Sequence, residues 1–203
     1  LRVLDGAVVV FSAREGVEAQ SETVWRQATK YGVPRVCFIN KLDREGRDPF
    51  ELLDEIEEKL KIKVRPLSWP INMGKNFKGV YSLYEKSLHL FTPSKVTVEE
   101  GIEIRDLADT RLDEYVGENN ARQLRADVEL IEGVYPDFNV DEYLNGRVAP
   151  VFFGSAVNNF GVKELLDTFI RIAPPPEPRE TTARIVEPDE MKFTGFVFKI
   201  HAN

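Results

Sequence analysis

A short polar tetrapeptide, Asn40-Lys41-Leu42-Asp43, directly follows a continuous apolar run, Val36-Cys37-Phe38-Ile39. A run of this kind is typical of a strand that is covered on both faces of a parallel sheet. Ligands of open α/β sheets bind outside the carboxyl ends of the strands. The sequence therefore places an amide, an ammonium group and a carboxylate where a ligand would bind.

The carboxylate of Asp43 could accept two parallel hydrogen bonds, and guanine offers two adjacent donors, the ring N1–H and the exocyclic 2-amine. Adenine has no 2-amine and would leave the carboxylate unpaired, at a cost on the order of several kcal/mol in a partly dry pocket. Asn40 could hold neighbouring backbone or the Hoogsteen side of guanine, and Lys41 could lie along the base with its ammonium in water. Because these are also ordinary turn residues, the tetrapeptide needs support from a second motif.

A second motif of this type occupies Val148 to Ala156, where an apolar run ends in Gly154-Ser155-Ala156. A loop of small residues lets backbone N–H groups approach a ligand closely, and the Ala156 N–H is suited to meet the guanine O6. A plain strand-to-helix turn would give the same pattern, but two such strand ends in this order favour a guanine pocket. The predicted binding residues are Asn40, Lys41, Leu42, Asp43, Gly154, Ser155 and Ala156.

Together, the two motifs resemble the fourth and fifth guanine-nucleotide motifs of translational GTPases. Residues 16–28 look like elongation factor G, whereas several other stretches are similar to bacterial peptide chain release factor three. These stretches are residues 40–44, 48–55, 69–71, 77–81, 150–156, 159–162 and 193–200. The resemblance covers nearly the whole chain.

The resemblance to release factor three implies a GTPase that binds GTP and GDP and acts on the ribosome in translation termination, where it promotes departure of class I release factors. It implies a cytoplasmic protein, with Mg²⁺ bound only by the full-length form. Another translational GTPase, such as elongation factor G or a tetracycline-resistance ribosomal protection protein, is an alternative. A non-catalytic scaffold that kept the fold and lost the nucleotide is a second alternative.

The implied fold is α/β, the second half of a P-loop GTPase domain with a mostly parallel sheet flanked by helices. This part would span residues 1–172 and carry an inserted α+β subdomain at about 65–147. A Pro-rich linker would occupy residues 173–191, and the first strand of a β-barrel domain would begin at residue 192. That strand is also predicted by the alternating pattern of Lys192 to Ile200.

The phosphate-binding and hydrolytic residues of a GTPase do not occur in the sequence. A phosphate-binding loop needs Gly-x-x-x-x-Gly-Lys followed by Ser or Thr. The pair Gly74-Lys75 is followed by Asn76, and Trp69 stands in the place of the first glycine. We therefore predict no catalytic residue, and we expect an internal fragment that carries base specificity without hydrolysis.

The composition narrows the possible partners. The net charge is −7 with acidic and basic residues intermixed, which argues against coating nucleic acid through bulk charge, and no direct nucleic-acid-binding motif is present. No apolar run approaches the length of a membrane span. Cys37 lies inside an apolar run and is predicted to pack in the core. His89 and His201 have no ligand-spaced partners, so no metal site is predicted.

The periodicity predicts the elements that would position the two motifs. Gly6 to Phe11 is predicted as a strand and Gly16 to Tyr31 as a helix, so that a βαβ unit leads to Asp43. The resemblance implies that the first strand lacks its neighbour, the phosphate-loop strand, so we expect its edge to be exposed and to cause self-association. Asp48, Pro49 and Glu51 form the starting signature of a helix that runs to Lys61.

The same periodicity predicts the later strands and helices. Short strands are predicted near residues 69–71, 79–81 and 87–91, and helices at 119–133 and 162–172. The last helix should bury a stripe along one face. The predicted stripe residues are Val162, Leu165, Leu166, Phe169 and Ile170.

Overall fold

A computed structural model describes residues 3–93, 101–195, 197 and 200, and it contains both strands and helices. The strands are β1 (Ala7–Ser12), β2 (Arg35–Asn40), β3 (Lys63–Pro66), β4 (Ser68–Ile71), β5 (Gly79–Ser82), β6 (Ser87–Leu90), β7 (Ile102–Glu103), β8 (Val148–Phe153), β9 (Arg179–Glu180) and β10 (Ile185–Val186). The helices are α1 (Ala19–Lys30), α2 (Pro49–Leu60), α3 (Arg111–Val116), α4 (Glu118–Val134), α5 (Val140–Leu144) and α6 (Val162–Ile172). Among these, no helix has the length and apolarity needed to cross a bilayer.

The main sheet has four parallel strands in the order β1-β2-β8-β3. Its central strands β2 and β8 are almost wholly buried, as continuous apolar runs predict. Apolar cores lie on both sides of the sheet, one including α1 and α2 and the other including α5 and α6. The predicted α/β fold, with a parallel sheet flanked by helices, is confirmed.

Helix α2 begins as its sequence predicts. Asp48 is the N-cap, its carboxylate accepts hydrogen bonds from the N–H groups of Phe50 and Glu51, and Pro49 is the first helical residue. Among the described hydrogen bonds, Glu51 makes no return bond to Asp48, so the capping box is only half formed. Helix α2 follows β2 within a few residues and therefore fixes the loop between them.

A second, antiparallel sheet, β4-β5-β6-β7, is inserted between β3 and β8 together with helices α3, α4 and α5. It begins at Ser68, whereas Arg65 still lies in β3 of the main sheet. Trp69 and Tyr81 are fully buried and share one core with the main sheet. The predicted strands and the long helix of this segment are therefore present, and the insertion packs tightly against the strands that carry the site.

Helix α6 differs from the prediction in which side it buries. Its buried residues are Leu165, Thr168 and Ile172, whereas Leu166 and Ile170 are 48% and 76% exposed. The apolar stripe of α6 is wider than its contact with the sheet. The stripe alone therefore could not show which of its residues face inward, and the prediction was wrong for Leu166 and Ile170.

The segment after α6 begins with prolines and contains a small hairpin of β9 and β10. The described residues of the predicted strand from Lys192 to Ile200 adopt no strand conformation. Phe196, Phe198 and Lys199 of that prediction lie outside the described residues, as does His201. The start of a β-barrel domain at residue 192 therefore stays a prediction.

Candidate functional site

The two predicted motifs lie side by side because β2 and β8 are neighbours in the sheet, with Ile39 opposite Phe153. Their backbone pairing continues into the loops. The Gly154 N–H donates to the Ile39 carbonyl at 2.9 Å, and the Leu42 N–H donates to the Gly154 carbonyl at 3.1 Å. The polar tetrapeptide and the small-residue loop therefore form one continuous surface at the carboxyl end of the sheet.

Asn40 joins the two loops through its side chain. Its Oδ1 accepts hydrogen bonds from the N–H groups of Lys41 and Ala156, both at 2.8 Å. The predicted role in holding neighbouring backbone therefore has a geometric basis. The Ala156 N–H, expected from the sequence to be free for a ligand, is already donated to Asn40.

A hydrogen-bond relay supports Asp43. The Asn158 Nδ2 donates to the Ser155 Oγ at 2.9 Å, and the Ser155 hydroxyl donates to the Asp43 Oδ1 at 2.5 Å. Ser155 is completely buried, and its side chain contacts Asp43. Because an ionised carboxylate has about four lone-pair positions, Asp43 keeps acceptor capacity on both oxygens.

Lys41 and Leu42 have opposite environments. Lys41 adopts a positive φ of 72° and its side chain is half exposed, with the ammonium 3.8 Å from the Glu15 carboxylate. Leu42 is fully buried, and its carbonyl accepts a hydrogen bond from the Gly74 N–H at 2.9 Å. Leu42 thus anchors the loop in the core while its neighbours face outward.

Gly154 allows the two loops to approach each other. A Cβ at this position would lie 2.3 Å from the Phe160 carbonyl oxygen and 2.7 Å from the ring of Phe38. The turn after it is closed by reciprocal backbone hydrogen bonds between Ser155 and Phe160, at 2.9 and 3.0 Å. A side chain on Gly154 would therefore push this turn away from β2.

The loop after β1 is fastened to α2 and the segment before it by hydrogen bonds from Lys59 and Arg47 to its backbone carbonyls, and ionic contacts order these two cations. Glu55 pairs with Arg47 at 2.5 Å and with Lys59 at 2.6 Å, and the Lys59 ammonium also donates to the Val17 carbonyl. Burial opposes ionisation of Glu55, but its two cationic partners prevail and lower the pKa of the carboxyl below its usual value. These contacts hold the segment that presents Glu15 beside Lys41.

Several supporting residues were not predicted from the sequence. Asn158, Glu15 and Gly74 each contact a predicted site residue, yet none belongs to either motif. Asn158 lies three residues after Ser155, where a short turn returns its amide to the hydroxyl. Only that spacing could have indicated it. Within the described residues, no group of His, Cys, Asp and Glu side chains could hold a metal ion.

The parallel sheet and the joined loops at its carboxyl end define an α/β domain that can take a ligand across two strand ends. A family model described as the elongation factor Tu GTP binding domain matches residues 1–175. Because this match spans most of the 203 residues, the chain belongs to this family of translational GTPases. The family binds GTP and GDP and acts on the ribosome.

Proposed function

We propose that this chain binds the guanine base of GTP and GDP, with Asp43 as the residue that distinguishes guanine from adenine. The observation that carries the proposal is the hydrogen bond from the buried Ser155 hydroxyl to the Asp43 Oδ1. A donor at this position restricts the rotation of the carboxylate. Asp43 can then accept from the N1–H and the 2-amine of guanine together.

The other site residues have complementary roles in this proposal. The Asn40 Oδ1 is engaged by two backbone N–H groups, which directs its Nδ2 amide as a donor toward the Hoogsteen side of the base. Lys41 covers one face of the base with its aliphatic stem. Gly154 and Ala156 form the backbone wall beside the O6, and Leu42 anchors the loop.

The proposal extends to the biological role. The similarity of residues 40–44, 77–81 and 193–200 to release factor three supports a GTPase of translation termination that promotes departure of class I release factors from the ribosome. Phosphate binding, Mg²⁺ binding and hydrolysis would be performed by residues that the present sequence does not contain. The described residues contain no group of three or more His, Cys, Asp and Glu side chains that could hold a metal ion, and we assign them no role in holding Mg²⁺.

Base specificity can be tested by displacement of fluorescent GDP from the full-length protein with unlabelled GDP or ADP. We expect GDP to compete at concentrations at least about a hundredfold lower than ADP, because ADP would leave Asp43 unpaired. Equal competition would contradict guanine specificity. Failure to bind any nucleotide would favour the scaffold alternative.

The termination role requires a separate assay. Ribosomes stalled at a stop codon with a labelled class I release factor should lose that factor faster when the protein and GTP are added. Acceleration of translocation instead would assign the role of elongation factor G. Release of tetracycline from the ribosome would assign the role of a ribosomal protection protein. Either result would leave the base-binding proposal intact.

A further inference from the structure

A buried arginine lies at the amino end of β2, at the opposite end of the strand from Asn40. Arg35 is 3% exposed, yet no carboxylate of the described residues forms an ion pair with it. Its Nη1 donates to the Thr29 Oγ1 at 2.6 Å and to the Trp25 carbonyl at 3.4 Å, and its guanidinium stacks 4.3 Å from the Trp25 ring. The hydrogen bonds therefore occupy only the Nη1 group of the guanidinium.

The other side of this guanidinium has no partner among the described residues. The Arg35 Nε is fully buried without a hydrogen bond, and Nη2 donates to no described group. Nη2 points toward Gly146, where an added Cβ would lie 3.4 Å away. Nη2 is the nitrogen of this side that a ligand can reach, and because a buried polar group without a partner costs about 1–3 kcal/mol, its N–H groups provide a reason for a ligand to bind here.

A cavity of about 280 Å³ opens at this point, and both Arg35 and Gly146 line it. A water molecule takes about 30 Å³ in the liquid, so the cavity has room for an oxyanion with several waters. The other charged residues that line it are Glu22, Arg26, Lys59 and Lys61.

The charge balance of the cavity is positive. Four cationic side chains line it against the single carboxylate of Glu22, which is paired with Arg26 at 3.0 Å. The C-termini of α1 and α2 also meet here and contribute about half a negative charge each. The carboxylate of Glu55, which pairs with Lys59, offsets about one more positive charge. A net positive charge of about one therefore remains, beside buried N–H donors.

We propose that this cavity binds a phosphate-type oxyanion, with Arg35 as its buried anchor and Lys61 as its exposed second cation. The Nη2 group of a guanidinium carries two N–H donors and is a charge-assisted partner for phosphate oxygens. Gly146 leaves space for the anion above Nη2 because it has no side chain. The oxyanion can be free phosphate or a phosphodiester of an RNA backbone, since both present the same oxygens.

This site is separate from the proposed guanine pocket. Arg35 and Asn40 are the first and last residues of β2, so their Cα atoms lie about 17 Å apart along the strand. The inference does not depend on guanine binding. Its test can therefore succeed or fail independently of the nucleotide experiments.

The test uses full-length protein with ¹⁵N-labelled arginine, titrated with inorganic phosphate at constant ionic strength, with chloride as the balancing anion. The Arg35 Nε–H signal, assigned by its loss in Arg35→Gln, should shift and saturate. Lys61→Gln should weaken phosphate binding about two- to fivefold. Lys30→Gln removes the same charge from a residue outside the cavity. It should change the phosphate affinity by less than about 1.5-fold, because salt screens a charge at that distance.

A shift that does not saturate, or equal weakening by Lys61→Gln and Lys30→Gln, would overturn the proposal. Because Lys61 is exposed, this comparison stands even if Arg35→Gln fails to fold. A short single-stranded RNA that displaces phosphate would identify an RNA backbone as the source, and saturation by phosphate alone would identify a free anion. Saturation by an acidic peptide but not by phosphate would overturn the oxyanion assignment.

Discussion

At the scale of single residues, the site depends on which groups donate hydrogen bonds and which accept them around Asp43. The sequence identified Asp43, Asn40 and Ser155 because polar and small residues at strand ends indicate a ligand site. It could not assign their partners, because these depend on how two distant loops close. The Ala156 N–H illustrates this: whether it faces a ligand or Asn40 depends on the distance between the loops.

Asn158 is expected to act as a positioning residue for Ser155. Since the Ser155 oxygen accepts from Asn158, its proton is directed to Asp43. Asn158→Ala should weaken GDP binding about two- to tenfold, the value of one hydrogen bond, while the free energy of unfolding changes little. Val157→Ala, an exposed neighbour in the same turn, serves as control. Equal GDP affinity for the two variants would contradict this role.

At the scale of elements, Gly154 sets the distance between β8 and β2. Gly154→Ala should lower the free energy of unfolding by about 1–3 kcal/mol, because its Cβ would overlap the Phe160 carbonyl. Gly133 in α4 has no atom within 4 Å of an added Cβ, so Gly133→Ala should stabilise by about 0.5–1 kcal/mol. Urea unfolding measures both changes. A stable Gly154→Ala variant would show that the close packing is not required.

Helix α6 is joined to the inserted sheet by a buried polar contact. The His89 Nδ1 lies 3.0 Å from the Glu164 Oε1, and the His89 Nε2 lies 2.9 Å from the Ser87 Oγ. The sequence could not indicate this contact of His89, since its partner is 75 residues away. Burial opposes ionisation of Glu164, but the hydrogen bond and charge of His89, a backbone hydrogen bond and the charge of Lys163 together outweigh it and lower the pKa of the carboxyl below its usual value of 4.5.

This contact predicts a pH dependence of stability. A carboxyl whose pKa is lower in the folded state stabilises fully above its unfolded pKa and loses that contribution as the pH falls through the folded value. Glu164→Gln should cost about 1–3 kcal/mol at neutral pH, and its difference from wild type should shrink below about pH 4.5. Glu58→Gln, on the exposed side of α2, is the control. A difference that stays constant to low pH would contradict the contact.

At the scale of the whole molecule, β1 forms an edge of the main sheet, and no strand of the described residues pairs with its outer side. Val8 and Val10 are 38% and 57% exposed, and Leu166 and Ile170 of α6 are also exposed. The sequence correctly predicted an exposed edge at this strand. It could not predict the exposed side of α6, because that depends on how the helix is rotated on the sheet.

This edge leads us to expect concentration-dependent self-association of the 203-residue chain. Val10→Lys should abolish it, because a charge on an edge strand disfavours pairing with another strand. Val157→Lys adds the same charge at a comparably exposed valine outside β1 and should leave association unchanged. Sedimentation velocity over a range of concentrations measures both. A wild-type chain that stays monomeric at high concentration would contradict the expectation.

The fold as a whole was predictable because buried parallel strands leave continuous apolar runs such as Val36 to Ile39. The inserted segment was recognisable because its short strands interrupt the alternation of strands and helices. The positive cavity at Arg35 was not predictable. A lone arginine at the start of a strand shows neither its burial nor the absence of a carboxylate near it.

The central claim is that Asp43 reads guanine, and exchange of its carboxylate for an amide tests it most directly. In the full-length protein, Asp43→Asn should reverse the preference from GDP to xanthosine diphosphate, because the amide can donate to the extra oxygen of xanthine. We expect a loss of GDP affinity of about tenfold or more, with a comparable gain for xanthosine diphosphate. Asp54→Asn, on the exposed face of α2, should keep the GDP preference. If Asp43→Asn bound GDP as tightly as the wild type and gained nothing for xanthosine diphosphate, Asp43 would not be the base reader.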